Sequence, residues 1–231
     1  MVNQSPGGRR WVDVAPERFT AWVSSFEQRH GRTLADAGPD VLLLTAADGA
    51  AAECHVPFPP MPAGSRAAGP AAAYARAAAA HAAAARTVGV LLVRLGGYAA
   101  GVFAGAPPEL IASKTGARQV HGRSAAGGWS QQRFARRREK QAAEALSAAA
   151  DAADRVLGAY RAELDAVVLG GDKRTAAALR DDPRLRPYLA IAAERFITVP
   201  DPRLPVLRDS PRLFRAIRIR LTEPRSVPPG R

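Results

Sequence analysis

The sequence has 231 residues, of which 47% are hydrophobic and 23% are charged, so the chain can bury a sizeable core. Its 33 Lys and Arg residues against 21 Asp and Glu residues give a formal charge of +12, which favours a polyanionic partner such as nucleic acid. Cys54 is the single cysteine, which excludes an intramolecular disulfide and a cysteine-based metal cluster. Because no long apolar run and no secretory signal is present, we expect a soluble, cytoplasmic protein without membrane contact.

The N-terminal region is predicted to contain a helix followed by a hairpin. Pro16 stands in a helix-opening position, and the helix is predicted to end near Gly31. One apolar helix face follows Pro16 at spacings of three and four residues: Phe19, Trp22, Val23 and Phe26. Two β-type runs, residues 40–45 and 52–56, then flank an Asp-Gly turn, which is typical of a β-hairpin.

Residues 57–86 are first rich in Pro and Gly and then almost pure alanine. A helix is predicted from Ala71 onward because alanine has the lowest cost in a helix, although few large side chains are present to anchor it. We interpret the segment as a poorly constrained insertion within a single catalytic domain over residues 9–223. Residues 1–8 and 224–231 are predicted to be flexible tails.

The order of elements after this insertion predicts the fold class. Strand-like runs with short connections indicate an antiparallel meander, and a long helix, a buried strand, a short helix and a further strand follow. The predicted elements are strands 88–95, 98–104 and 110–115, helix 132–160, strand 165–170, helix 174–180 and strand 195–199. This is the order of an RNase-H-like mixed α/β sheet, here with an extra N-terminal helix and hairpin. Residues 211–221 fit either an edge strand or a short basic helix.

The long helix has two dissimilar halves. Its second half keeps a 3.6-residue apolar period and is predicted to pack on the sheet. Its first half has positive charge around most of its circumference, so it is predicted to project into solvent or onto a partner. The cations of this basic half are Arg133, Arg136, Arg137, Arg138 and Lys140. Although such a run is ordinarily a solvated face, five cations within eight residues beside a glycine-rich loop favour contacts with phosphates.

The loop over residues 122–134 separates the meander from the long helix and contains no large aliphatic residue that would bury it. Gly127 and Gly128 permit positive φ or close approach to another backbone, and ordinary turn statistics alone would make them a simple turn. Ser130 is well placed to be the N-cap of the following helix. The loop thus offers an indole, a hydroxyl and two amides followed directly by cations.

Residues 127–138 read Gly-Gly-Trp-Ser-Gln-Gln-Arg-Phe-Ala-Arg-Arg-Arg, which resembles the catalytic loop of release-factor-like peptidyl-tRNA hydrolases. The similarity is to the actinobacterial, Vms-like branch of this family, which is related to the middle domain of eukaryotic-type release factors. Residues 94–103, 113–116 and 170–174 support the resemblance, which extends over most of residues 11–221.

The resemblance implies that a loop glutamine positions water against the ester that joins peptide to tRNA. Gln131 is the implied catalytic residue and Gln132 its competitor, since Trp129 is inserted where related loops read Gly-Gly-Gln or Gly-Gly-Ser-Gln. Gly127 and Gly128 shape this predicted catalytic loop, and Ser130 has a supporting role. We interpret Trp129 and Arg123, with the five cations of the helix, as RNA-binding residues.

The implied activity is metal-independent and codon-independent hydrolysis of peptidyl-tRNA on stalled or split large ribosomal subunits. The expected partners are the large subunit, its ribosomal RNA and peptidyl-tRNA, and the expected state is a monomer without a cofactor. A non-catalytic ribosome-binding or RNA-binding factor of the same fold is the alternative, with Trp129 having disabled hydrolysis. A metal-dependent nuclease is disfavoured because Asp40, Asp48 and Glu53 are associated with turns rather than with an acidic cluster.

Two further groups of residues are of types that can form ligand sites. Residues 170–174, Gly-Gly-Asp-Lys-Arg, lie between a predicted strand and a helix and lack the full P-loop pattern, which favours a tight turn over a nucleotide site. The four histidines share no metal-ligand spacing, so no metal site is predicted: His30, His55, His81 and His121.

Overall fold

The computed structural model describes residues 9–63, 68–117 and 130–224, with the backbone alone at residues 9 and 130–139. Tertiary contacts divide the chain into two compact units. The first unit comprises Met1–Ala84 and Arg212–Arg231, and the second comprises Ala85–Pro211. The prediction of one catalytic domain over residues 9–223 stays a prediction.

Within the described residues, the first unit contains a six-stranded antiparallel sheet in the order β1-β10-β4-β3-β2-β5. Its strands are β1 (Arg9–Val14), β2 (Thr33–Ala37), β3 (Val41–Ala46), β4 (Ala51–His55), β5 (Ala68–Pro70) and β10 (Ile217–Thr222). Its helices are α1 (Pro16–His30) and α2 (Ala71–Ala83), and α7 (Pro211–Phe214) lies at the boundary between the units. The predicted hairpin is therefore confirmed as β3 and β4, but it is part of a larger sheet.

The predicted first helix is confirmed as α1. Pro16 occupies its first turn, and the helix ends at Gly31, whose φ of 82° few other residues adopt at low cost. Phe19, Val23 and Phe26 are buried, as their spacing predicts. Their burial against the alternating strands of the sheet forms the core of the first unit.

The alanine-rich segment is better anchored than predicted. Helix α2 packs against α1 and buries one face at intervals of three and four residues. The buried positions are Ala71, Ala75, Ala78 and Ala82. Small side chains let the two helices approach closely, so shape complementarity replaces the large anchoring residues that the sequence lacks.

Within the described part of the second unit, a four-stranded sheet has the order β8-β7-β6-β9. The strands are β6 (Val88–Arg94), β7 (Gly97–Ala104), β8 (Glu109–Ala117) and β9 (Ala166–Gly171). The helices are α3 (Ser130–Gly158), α4 (Lys173–Ala178), α5 (Arg186–Leu189) and α6 (Leu204–Asp209), with a short 3-10 turn at Pro183–Leu185. Strands β6, β7 and β8 are antiparallel, whereas β6 and β9 are parallel. The RNase-H-like order of this mixed α/β sheet is thus confirmed.

Two predictions about the C-terminal half need correction. Residues 195–199 were predicted to form a strand, but only an isolated parallel bridge joins Ile197 to Gly170. Too few successive residues pair with β9 for a regular strand to form. Residues 211–221 contain a short helix, α7, followed by strand β10, but β10 pairs with β1 on one side and with β4 on the other and is therefore not an edge strand.

Candidate functional site

The predicted catalytic loop falls largely outside the described residues, which omit residues 118–129. Four predicted site residues lie there: Arg123, Gly127, Gly128 and Trp129. The elements on both sides of the loop are described, since β8 ends at Ala117 and α3 begins at Ser130. The structure therefore shows where the two ends of the loop are attached, at Ala117 of β8 and at Ser130 of α3.

Helix α3 contains the other predicted site residues. Ser130, Gln131 and Gln132 are in its first turn. The helix begins at Ser130, two residues before the predicted start at Gln132. The basic positions follow along the same helix: Arg133, Arg136, Arg137, Arg138 and Lys140. Only the side chain of Lys140 belongs to the described part of this group, and it is exposed.

Burial along α3 can be followed from Lys140 onward, so the prediction that the basic half projects stays a prediction. Residues 140–148 are exposed or half-buried, and fully buried positions recur on one face from Ala149 to Leu157. At a rise of about 1.5 Å per residue, the nineteen positions from Ser130 to Ala149 span about 28 Å. The N-terminus of the helix therefore lies about 28 Å along the axis from the first fully buried position that is described.

The C-terminal half of α3 is held by polar contacts as well as by apolar packing. The hydroxyl of Tyr188 donates a hydrogen bond to the Asp154 carboxylate at 2.8 Å, and burial raises the pKa of Tyr188 to about 12. The Arg184 guanidinium pairs with Asp151 in the preceding turn of α3 and with Asp182. These contacts hold the C-terminal half of α3 in place, which is the half farther from the basic residues.

Strand pairing places the loop at a defined end of the second unit. Gly97 pairs with Ala117, so the loop departs beside the turn that joins β6 to β7. Val93 pairs with Gly171 in the parallel register of β6 and β9, so the connection from β9 to α4 lies at the same end of the sheet. The end of β8 from which the loop departs, the turn from β6 to β7 and the turn from β9 to α4 thus lie at one end of this unit.

The turn from β9 to α4 is built by close backbone packing. Gly171 has a φ of 105°, and the Asp172 backbone N–H donates a hydrogen bond to the Val93 carbonyl at 2.8 Å. The Asp172 carboxylate accepts hydrogen bonds from the N–H and the hydroxyl of Thr175, both at 2.8 Å, and caps α4. These two bonds, followed by the charges of Arg94 and Arg174, lower the pKa of Asp172. The geometry supports a tight strand-to-helix turn rather than a nucleotide site.

Arg94 fastens the last segment of the second unit to this end of the sheet. Its Nη1 donates a hydrogen bond to the Val199 carbonyl at 2.9 Å, and its Nε lies 3.8 Å from the Asp201 carboxylate. Arg94 belongs to a stretch that supports the family resemblance, but its partners are distant in sequence and could not be predicted from spacing.

An apolar groove lies at the same end, between α3, α4 and the turn that joins β6 to β7. Its cavity has a volume of about 190 Å³. The lining is mostly apolar, with alanine as its commonest residue, and it includes Tyr98 and two cations. Residues that form the groove include Leu95, Tyr98, Ala142, Ala145, Leu146, Arg94, Arg174 and Ala178. No sequence motif indicated this groove, because its walls come from three separate segments.

Several described histidines and carboxylates that were not predicted to bind metal make contacts within the first unit. His30 Nδ1 lies 2.9 Å from the Asp48 carboxylate, and His81 Nε2 lies 3.0 Å from the Pro57 carbonyl oxygen. Glu53 pairs with Arg220 across neighbouring strands. In the described part of the chain, no three His, Cys, Asp or Glu side chains are grouped as metal ligands would be.

The first unit contains an aromatic and basic cluster that sequence reasoning missed. The Arg218 guanidinium lies 4.5 Å from the centre of the Trp11 ring, and the His55 ring lies 5.5 Å from it. Burial is the main cause of the lowered pKa of His55. The cluster depends on the pairing of β1 and β4 with β10. This pairing brings Trp11 and His55 of the N-terminal region next to Arg218 near the end of the sequence.

Comparison with protein families gives the class to which this architecture belongs. A family model described as the Actinobacteria/chloroflexi VLRF1 release factor matches residues 86–220. The match covers more than half of the sequence, and the chain belongs to this family of release factors. The resemblance inferred from the loop motif is thereby confirmed.

Solved structures of other translation and archaeal proteins are similar over part of their length. An archaeal translation termination factor, aRF1, matches 71% of this chain and 47% of its own, with 14% identity and a TM-score of 0.40. A structure titled only as an archaeal protein matches 89% of this chain and 64% of its own, at 13% identity and a TM-score of 0.33. Pelota of Archaeoglobus fulgidus matches 93% and 66%, at 10% identity and a TM-score of 0.29.

This chain therefore spans about half the length of the archaeal termination factor that it matches. A comparison with curated proteins gave no match. Among the described helices, none combines the length and the apolar character needed to cross a membrane.

Proposed function

We propose that the protein is a metal-independent peptidyl-tRNA hydrolase that releases nascent chains from stalled or split large ribosomal subunits without reading a codon. Gln131 is the proposed catalytic residue, with Gln132 as its competitor. The observation that supports the proposal most directly is the form of α3, which begins at Ser130 and whose described side chains become fully buried only from Ala149 onward. A helix of this kind can deliver its N-terminus into a confined site while the sheet remains outside.

The proposed reaction needs no covalent intermediate between the peptide and the protein. The oxygen of a water molecule attacks the ester carbonyl carbon, and the bond to the ribose oxygen of the tRNA breaks. The ribose hydroxyl leaves with a proton that the water has lost, and the peptide leaves as a carboxylic acid. A glutamine amide both donates and accepts hydrogen bonds, so it can orient the water and stabilise the developing oxyanion without bringing charge into the ribosome.

The position of the glutamines at the start of α3 adds to this chemistry. Aligned peptide dipoles give a helix N-terminus a partial positive charge of about half a unit, which favours an anionic transition state nearby. Gly127 and Gly128 are proposed to let the loop approach the tRNA backbone, and Ser130 is proposed to support the first turn. Good orientation of reactants can lower a barrier by about 7 to 11 kcal/mol, which is valuable for an ester that is already activated.

The basic positions of α3 are proposed to hold the helix on ribosomal RNA. Lys140 is exposed, and four arginines precede it along the same helix. Cations at these positions would neutralise phosphates and release counterions, which gives affinity without dependence on sequence. Arg123 and Trp129 of the loop are proposed to add RNA contacts. We propose that the protein acts as a monomer in the cytoplasm and requires no cofactor.

The decisive experiment measures release of labelled peptide from purified complexes of peptidyl-tRNA with the large subunit, in the presence of a chelator. Residues 131 and 132 occupy adjacent helix positions about 100° apart around the axis, so single alanine substitutions distinguish them. We expect Gln131→Ala to abolish release and Gln132→Ala to retain it. Subunit binding, measured by co-sedimentation, is expected to be unchanged in both variants.

Loss of release only in Gln132→Ala would transfer the catalytic role to that residue. If the unaltered protein binds subunits but releases no peptide above the control without protein, the chain is instead a non-catalytic ribosome-binding factor. Complexes with and without a stop codon in the decoding site provide the second control. Equal release from both is expected, and a strict requirement for the stop codon would contradict codon-independent action.

A further inference from the structure

The apolar groove beside α3 has features that a packing defect does not explain. Leu95, in the turn that contributes to its lining, leaves 66% of its surface exposed, so the groove has an apolar residue open to solvent beside it. The groove volume of about 190 Å³ lies below the roughly 300 to 1,000 Å³ of sites for drug-sized ligands. Its size therefore suits one ring system or one large side chain rather than a complete cofactor.

Tyr98 supplies an aromatic surface in this groove. Its ring lies so close to Gly116 of the neighbouring strand that a β-carbon on residue 116 would be 2.4 Å from the ring. Glycine at this position allows the ring to lie against the backbone of β8, where larger residues would displace it. Tyr98 remains only half-buried, so part of its ring stays accessible within the groove.

The charged side chains beside the groove indicate which kind of ligand is complementary to it. Arg94 and Arg174 both contribute to the lining, and the side chain of Arg174 is exposed. Among the described residues, the carboxylates of Asp172 and Asp201 already have partners, because Asp172 caps α4 and Asp201 lies against Arg94. An apolar, aromatic groove with a positive margin is complementary to an unpaired base and its phosphate.

We infer that this groove binds one unpaired nucleotide of RNA, with the base against Tyr98 and the phosphate on Arg174. Proteins commonly recognise single-stranded RNA by stacking splayed bases on aromatic side chains, while cations hold the backbone. The alanine-lined walls offer few polar groups to read base edges, so binding tolerates any base. The inference rests on the proposed function only in taking the RNA to be ribosomal RNA or tRNA of the large-subunit complex.

The test uses the full-length protein and a fluorescein-labelled octamer of riboadenylate, with a blunt RNA duplex of equal length as the comparison. Tyr98→Ala is expected to weaken binding of the octamer by about 5- to 150-fold, because loss of one stacked base has that effect. Tyr98→Phe keeps the aromatic face and is expected to retain affinity. Duplex binding is expected to change little in either variant, since its bases are not available for stacking.

A second variant keeps the test informative if loss of the tyrosine causes the protein to misfold. Ala178 lines the groove from α4 and is exposed, so Ala178→Glu adds a carboxylate there without disturbing the core. We expect weaker binding of the octamer in Ala178→Glu and no change in Arg155→Ala, which removes an exposed cation at the far end of α3. Unchanged affinity in both Tyr98→Ala and Ala178→Glu, with native circular dichroism, would overturn the inference.

Ultraviolet crosslinking on large subunits identifies the natural occupant. A crosslink from the peptide that contains Tyr98 to RNA supports the inference, whereas a crosslink to a ribosomal protein assigns the groove to a polypeptide and rejects it. The two proposals fail separately. Absence of peptide release with Tyr98-dependent RNA binding would reject only the hydrolase, and normal release without Tyr98-dependent binding would reject only the groove site.

Discussion

Gly171 lies so close to Val93 that a β-carbon on residue 171 would be 2.0 Å from the Val93 carbonyl oxygen. The contact joins the ends of the parallel strands β6 and β9, at the end of the sheet from which the predicted catalytic loop departs. The second glycine of the Gly-Gly-Asp-Lys-Arg stretch is therefore needed for packing.

We expect Gly171→Ala to destabilise the second unit by more than the approximately 1 to 3 kcal/mol of backbone strain, because the clash adds to the cost of a positive φ. Gly49→Ala is the matched control, since Gly49 has a φ of 89° but no atom within 4 Å of the added carbon. Urea unfolding of both variants separates strain from steric overlap. Equal destabilisation of the two proteins would show that the close approach to Val93 has no energetic consequence.

Acid should remove the contribution of the Asp172 cap to folding stability. The pKa of Asp172 is lowered in the folded state, chiefly by the Thr175 backbone N–H, so its ionised form stabilises the folded protein above the unfolded pKa of about 3.9. This contribution is lost as pH falls through the lower folded pKa. Asp172→Ala should therefore be less stable than the unaltered protein at about pH 7, and the difference should shrink at about pH 3.

Asp172→Asn provides the control for the acid prediction, because an asparagine amide oxygen caps a helix without titrating. Thermal unfolding at both pH values is the measurement. A constant difference between Asp172→Ala and the unaltered protein over this range would contradict a titrating cap.

The basic half of α3 should determine the salt dependence of ribosome binding. Replacement of Arg136, Arg137 and Arg138 together by alanine keeps helix propensity high and removes three proposed phosphate contacts. Binding to large subunits should weaken, and the slope of log affinity against log salt should flatten by about 0.7 to 0.9 for each lost contact.

A matched triple variant tests whether the position of the charges matters. Arg155, Arg161 and Arg180 are exposed cations of the same unit that lie outside the basic half of α3. Their joint replacement by alanine changes the net charge equally and should leave the slope nearly unchanged. Similar slopes for both triple variants would indicate that binding depends on total charge alone.

The close packing of α1 against α2 can be tested at a single alanine. Ala78 is fully buried, and a leucine there would overpack the interface and cost about 1 to 3 kcal/mol. Ala80 is exposed on the same helix, and Ala80→Leu should stay within about 0.5 kcal/mol of the unaltered protein. Chemical denaturation compares the two, and tolerance of Ala78→Leu would indicate a loose interface.

The sequence by itself determined the elements whose signals are local. The apolar period of Phe19, Val23 and Phe26 predicted α1, and short turns between apolar runs predicted the meander of β6, β7 and β8. The loop motif at residues 127–138 indicated the family, because its residues are consecutive and need no tertiary information. Gln131 as the catalytic residue remains a prediction.

Tertiary structure alone decided which distant segments meet. Strands β1 and β10 pair through Val12 and Ile219, which are far apart in the sequence. The local sequence of two such short strands does not indicate which strand each of them pairs with. Residues 195–199 have strand-like composition but form only a bridge, because pairing requires a neighbour with matching register. The groove around Tyr98 likewise exists only after α3 and α4 pack beside the sheet, since each segment supplies a few ordinary apolar residues and the concave shape belongs to their arrangement.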